Sequence, residues 1–443
     1  MFCAIKISKS DPTPLYIQLA NELIRLIDDG TLPPKTKLPT IRLLSSKLKI
    51  NRDTVVNAYK LLESKSYVIA HIGSGTYVAP QSKFNIESKK ELSPMPCSKT
   101  YFPRELFNIN ICKKLMTDIL DDEGWSAFVD PLNRERQLIR QAICDYLQTV
   151  GVTASNPYAR LIQDTPNFLL ELMKLSATST ICVEAYRDLS YTSTLSYLGF
   201  KVLEIPLTAD GLDLEVLESQ LKSQSVSYIL ITPYIQNPTG ICYSEENKLG
   251  IIELCEKYDT MLIEDGTFTD FVYESYDIKS CYNLCKSDRV IYIYNFCKLY
   301  LPHLDYSFVV LPQIIQKRLI DTMQVALPER FVRYYLESEF FDEIRGDIVE
   351  SCEIKYKKIS QLLSSSSLLV QTYPNRNGLF FWLKSKQGSR MYQTLLKHNI
   401  VVSPSDLFAT SNNADYFRLS IASLNDSEMD ILVNVLAQLD SEF

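Results

Sequence analysis

A small helix-turn-helix head with a β-hairpin wing, then a large α/β body and a smaller C-terminal α+β lobe, is the architecture predicted by two patterns. The first is residues 38–78, "LPTIRLLSSKLKINRDTVVNAYKLLESKSYVIAHIGSGTYV", where two short amphipathic helices precede two short strands around a glycine turn. The second is a succession of apolar strand-like runs at 180–185, 201–207, 227–233, 260–266, 289–296 and 307–312. Helical segments such as 213–224 and 244–258 fall between several of them, which argues for a mainly parallel sheet.

Each element of the head has a local cause. An amphipathic helix from about residue 14 to 29 places Leu15, Leu19, Leu23, Leu26 and Ile27 on one face, and Gly30 ends it. Thr40 caps the next helix, with Leu43, Leu44 and Leu48 expected inward. Asn51 caps the third, whose Val55, Tyr59 and Leu62 continue the buried stripe. Residues 67–78 then read as a hairpin around Gly73, Ser74 and Gly75. In such a motif the start of the second helix reaches base edges and phosphates, so Arg52, Asp53, Thr54 and Asn57 are the expected readers of double-stranded DNA. Arg42 would meet the phosphate backbone, and the wing glycines allow close approach of the main chain.

Composition suits this division. At a rough 150 residues per domain, 443 residues make two or three domains. The first 80 residues hold eleven Lys/Arg against six Asp/Glu, while the whole chain is −7, so a basic head sits on an acidic body. No run of about 18 apolar residues offers a membrane span, and the N-terminus lacks a secretory core. Eleven scattered cysteines and three histidines point to reduced cytoplasmic thiols and no metal site. Domain bounds are expected at 1–79 for the head, 80–107 for a polar tether and 108–443 for the body, with the large part at about 125–325 and the lobe at about 326–443.

The ends of the body's strands carry chemistry. "TPYIQNPTG" sets Asn237 past one strand, "LIEDG" sets Asp265 at the end of another, and "YNFCK" sets Lys298 after a third. Ligands of open α/β sheets gather at such carboxyl ends. An amide, a carboxylate and a lysine together suit pyridoxal 5′-phosphate, with Lys298 for the Schiff base, Asp265 for the ring nitrogen and Asn237 for the ring oxygen.

The head resembles the GntR-type winged helix through "PLYIQL", "GTLPPKTKLPTIR", "INRDTVVNAYKLL" and "GSGTYV". The body is similar to fold-type I, class I/II aminotransferases through "NPTG" at 237–240, "IED" at 263–265, Lys298 and "FRLSIA" around Arg418. Together they resemble the MocR/GabR regulators, and the resemblance covers nearly the whole chain. It implies DNA contacts from Arg42, Arg52, Thr54 and the wing, a homodimer, and a body that senses a small molecule. It also makes Arg418 the holder of an effector carboxylate, as from an amino acid.

Several positions depart from the aminotransferase pattern. Asp305 replaces the arginine expected to bind cofactor phosphate, Asn167 and Phe168 replace its small-residue cradle, and Thr267 stands in place of a tyrosine. In the head, Asp53 replaces a small or hydroxylated residue; it either reads a cytosine amino group or weakens binding. The expected function is transcriptional regulation rather than turnover. The body then either binds pyridoxal phosphate weakly through Lys298, or is a degenerate fold holding another small molecule or none. The rival reading is a pyridoxal-phosphate-dependent aminotransferase acting on an amino acid.

Overall fold

The computed structural model describes residues 7–8, 13–28, 31–33, 35–64, 67–71, 75–78, 94–103, 106, 108–129, 134–155, 158–273, 279–301, 304–319, 325–373, 377–388, 390–409 and 415–442. The chain divides into two compact units, Met1–Glu91 and Leu92–Phe443.

In the first unit the helices are Leu15–Asp28, Ile41–Leu48 and Arg52–Ser64, followed by antiparallel strands Val68–His71 and Gly75–Val78. The Thr40 side chain accepts from the Leu43 N–H, and Asn51 Oδ1 accepts from the Asp53 N–H at 3.2 Å. Leu19, Leu23, Leu26, Ile27, Leu44, Val55, Tyr59 and Leu62 form the core. Leu43, expected inward, is instead 50% exposed. Adjacent helical residues are about 100° apart, and Leu44 takes the inward direction. The Tyr59 hydroxyl donates to the Pro39 carbonyl (2.7 Å), tying the third helix to the entry of the second. Residues 36–38 line the hairpin: the Leu38 N–H donates to Thr76 O (2.8 Å) and the Val78 N–H to Thr36 O (2.9 Å). Gly75 has φ +112° and a Cβ there would meet Lys37 Cε at 2.9 Å, so glycine is required. Gly30, Gly73 and Ser74 lie outside the described residues.

In the second unit a seven-stranded sheet runs in the order Ala159–Gln163, Tyr306–Val310, Val290–Tyr294, Met261–Asp265, Tyr228–Ile231, Thr180–Glu184, Lys201–Ile205. Tyr306–Val310 is antiparallel to both neighbours and the remaining pairs are parallel. The central strands are buried along nearly their whole length, as Thr180–Glu184 and Val290–Tyr294 are throughout, because helices cover both faces. This topology has one chemical consequence. The carboxyl ends of the parallel strands and the start of the antiparallel one share an edge, which gathers Asp164, Glu184, Thr232, Asp265, Asn295 and Asp305.

The C-terminal lobe is a four-stranded antiparallel sheet in the order Leu369–Gln371, Phe380–Ser385, Tyr416–Ser420, Ser403–Pro404. Helices Glu339–Ser365 and Asp426–Ser441 bury Ile359, Leu432 and Leu436 against Phe381 and Leu419. Residues 94–103, expected to belong to a loose tether, are packed onto this lobe. The Met95 N–H donates to Asn399 O (2.7 Å), the Ser420 N–H donates to Cys97 O (2.8 Å), and Met95 and Cys97 are buried in the lobe's core, while Phe102 is buried beside Phe271 and Tyr300 of the large part. Isolated anchors give no periodicity, so the sequence pattern concealed them. Among the described residues no helix is long and apolar enough to cross a membrane, and no cluster of three His, Cys, Asp or Glu could hold a metal.

Candidate functional site

At the shared edge lies a cavity of about 760 Å³ whose lining includes Asp164, Thr165, Asn167, Arg187, Asp188, Tyr191, Asn237, Asp265, Thr267, Phe268, Asn295, Lys298 and Asp305. Three of the residues expected to form a ligand site, Asn237, Asp265 and Lys298, are thus brought together. Lys298 rides on the short helix Phe296–Tyr300, and its N–H donates to the capping Asn295 Oδ1 (3.0 Å). Its ammonium is 5.5 Å from the Phe268 ring centroid. Lys298 is open to the cavity yet surrounded by protein, and this loss of hydration lowers its pKa, with Asp265 opposing and Arg418 reinforcing the shift.

Asp265 is held rigidly. Its Oδ1 accepts from the Thr267 N–H (3.0 Å) and hydroxyl (2.5 Å), and its Oδ2 faces Arg187 Nη2 at 3.8 Å. Thr267 therefore orients the carboxylate, and also accepts from the Asn295 N–H (3.0 Å). Between them, a Cβ on Gly266 would strike the Tyr292 hydroxyl, so only glycine lets the strand turn here.

Arg418 lies on the lobe's strand Tyr416–Ser420, just behind this cavity. It donates to Asn237 Oδ1 (2.5 Å), Ser98 O (2.6 Å) and Ser403 Oγ (3.2 Å). Its guanidinium carbon sits 5.1 Å from the Phe380 ring centroid and 4.9 Å from that of Phe408. Burial pulls its pKa down to about 10, with Asp188 opposing, and its Nε is buried without a hydrogen-bond partner. The packed strap residue Ser98 is thus part of the arginine's support.

Sequence reasoning missed the residues that frame the cavity. Buried Glu184 accepts from Arg187 (3.0 Å), the Thr232 N–H (2.8 Å), Gln236 (3.1 Å) and the Tyr243 hydroxyl (2.7 Å). Arg187 is consequently committed to Glu184, with its guanidinium 4.8 Å from the Tyr191 ring centroid. Tyr191 lines the cavity, whereas Tyr186 packs against Trp382 with ring centroids 5.6 Å apart. The charged run after the apolar strand at 180–184 was the available signal.

The residues fit pyridoxal phosphate only in part. Lys298, Asp265 and Asn237 suit its aldehyde and ring. The phosphate side does not fit: Asp164 Oδ2 accepts from the Asn167 side chain (2.9 Å), and Oδ1 lies at the Asn167 N–H (3.4 Å), so a carboxylate caps the helix Thr165–Leu175. Thr165 is hydrogen-bonded to Ser307 (3.0 Å), and Asp305 lines the same wall. Phe168, one of the two residues in place of the small-residue cradle, is 5% exposed and packs in the core with Leu169, Leu172 and Ile181, so its ring does not obstruct the cavity. The obstacle is therefore charge rather than bulk.

In the head, Arg42, Arg52, Asp53 and Asn57 are exposed and Thr54 is half-buried. Arg52, Asp53 and Thr54 open the third helix, and Asn57 lies one turn further on. Gly75 starts the second strand of the wing.

The two units match known families separately. Residues 15–78 match the model for bacterial regulatory proteins of the gntR family, and residues 134–300 that for aminotransferase class I and II. The HTH-type transcriptional regulator YdfD of Bacillus subtilis is 22% identical, with 96% of each chain covered. The probable rhizopine catabolism regulatory protein MocR of Rhizobium meliloti is also 22% identical, over 68% of this chain and 66% of that one. Among solved structures, the α-aminoadipate aminotransferase LysN of Thermus thermophilus, complexed with N-(5′-phosphopyridoxyl)-L-leucine, superimposes with a TM-score of 0.65 at 20% identity, over 79% of this chain and 93% of that one. A head matching the gntR family joined to an aminotransferase-like body of fold type I is the arrangement in which this chain is similar to regulators of the MocR/GabR type.

Proposed function

We propose that the chain regulates transcription by binding double-stranded DNA through Arg42, Arg52, Asp53, Thr54, Asn57 and the Gly73–Ser74–Gly75 turn, and that its body senses a small molecule beside Lys298. The observation that carries the DNA part is the exposed start of the third helix. There Arg52 makes no ion pair among the described residues, and Arg42 is likewise uncommitted. Cations left without partners on a helix-turn-helix suit phosphates and guanine edges. A two-fold dimer would present two such helices to paired half-sites.

For the body, Lys298 supplies an amine, Arg418 a buried guanidinium suited to an amino-acid or oxo-acid carboxylate, and Asn237 links the two sides. Retention of Lys298, Asp265, Asn237 and Arg418 supports a pyridoxal-type ligand on Lys298. The carboxylates at Asp164 and Asp305 oppose its phosphorylated form. The same carboxylates weigh against an aminotransferase, because turnover demands a firmly oriented cofactor. Selection from a randomised duplex pool should enrich one motif with the full chain. Enrichment of no sequence would overturn the regulator reading.

A further inference from the structure

The cavity sets an excess of carboxylates around one amine. Four carboxylates line it, those of Asp164, Asp188, Asp265 and Asp305, against the two cations Arg187 and Lys298. Arg187 is already bound to Glu184 at 3.0 Å and faces Asp265. Asp305 makes no hydrogen bond or ion pair through its carboxylate among the described residues. Among the described lining residues the cation left for a dianion is Lys298, and it must give up its proton before it can act as a nucleophile. Flat walls come from Phe268 and Tyr191.

We propose that this cavity selects an unphosphorylated aromatic aldehyde of the pyridoxal kind, with a protonatable ring nitrogen, which Lys298 captures as an imine. Neutral Nζ adds to the carbonyl carbon, the nitrogen loses its protons, and the carbonyl oxygen leaves as water. One C=O bond is exchanged for one C=N bond, with no oxidant or reductant consumed. The surplus carboxylates favour the protonated ring nitrogen and repel a phosphate monoester. The proposal rests on the reading of the body as a sensor and names the ligand class it senses.

Pyridoxal and pyridoxal phosphate differ only in the phosphate, so the pair isolates this selection. The full-length protein should yield a borohydride-fixed adduct with pyridoxal, mapped by mass spectrometry to Lys298 and absent from Lys298→Arg, which keeps the charge. Pyridoxal phosphate should bind at least about tenfold more weakly, a difference of about 1.4 kcal/mol. Both Asp164 and Asp305 have positive φ, 65° and 54°, which asparagine tolerates, so the double variant Asp164→Asn/Asp305→Asn should keep the fold and narrow that gap. Equal or tighter binding of the phosphorylated form, no adduct with pyridoxal, or an adduct surviving in Lys298→Arg would each overturn the proposal. DNA selection by the same protein separates the outcomes: a missing adduct with selection intact removes this ligand and leaves the regulator reading standing.

Discussion

Asp53 and Asp305 each carry a charge that opposes the chemistry around them, and Asp53 makes a prediction of its own. Asp53 opens the proposed reading helix. There its carboxylate complements the helix dipole and would repel a nearby phosphate. Asp53→Asn should strengthen DNA binding severalfold at low salt, measured by fluorescence anisotropy, unless the carboxylate accepts a cytosine amino group, in which case preference at one base relaxes. Asp305 was legible as a misfit because a single position stood against a motif. Asp164 and Asp188 were not, because an acid before a helix reads as a cap, which both also are. Their second role depends on which strand ends share an edge, and only the fold shows that.

At the scale of single elements, the helices and hairpin of the head and the apolar strands of the body followed from local pattern, whereas body helices such as Arg134–Thr149 and Glu339–Ser365 and the strands of the lobe did not. Strands Thr180–Glu184, Tyr228–Ile231 and Val290–Tyr294 are apolar runs buried throughout. Ala159–Gln163 escaped notice because it carries Arg160 and Gln163 in five residues. Thr40 was readable as a cap, and Thr40→Ala should cost the head about 1 kcal/mol in thermal or urea unfolding. The strand Met261–Asp265 splits its two acids between faces, since successive side chains alternate. Asp265 faces the cavity, whereas buried Glu264 accepts from the Cys281 and Tyr282 N–H groups, each at 2.9 Å. Burial pushes the Glu264 pKa up to about 7, against the pull of those two N–H groups. A raised folded-state pKa in an acid means the folded form holds its proton more tightly. The contribution to stability is therefore fully present below the ordinary carboxylate range and is lost as pH rises through about 7. Unfolding measured from pH 5 to 8 should show a decline on the order of 2–3 kcal/mol from this group, absent in Glu264→Gln. A parallel decline in both proteins would refute the assignment.

For the whole molecule, the proposed pairing of a basic DNA reader with an acidic sensor makes a regulator only if ligand and DNA influence each other. Linkage makes that influence reciprocal: the factor by which the ligand changes DNA affinity must equal the factor by which DNA changes ligand affinity. Two titrations of the full chain, one of each kind, should return the same factor, and a factor of one in both would reduce the body to a passive partner. A ligand present at about 100 times its Kd should also raise stability by about 2.7 kcal/mol. The central claim is that the head reads DNA through Arg52. Its most direct test is an anisotropy titration of the selected duplex and a scrambled one with the full chain and Arg52→Ala. Specific affinity should fall at least about tenfold, the loss of one good base contact, while binding to the scrambled duplex changes little. Unaltered specific binding by Arg52→Ala would contradict the account.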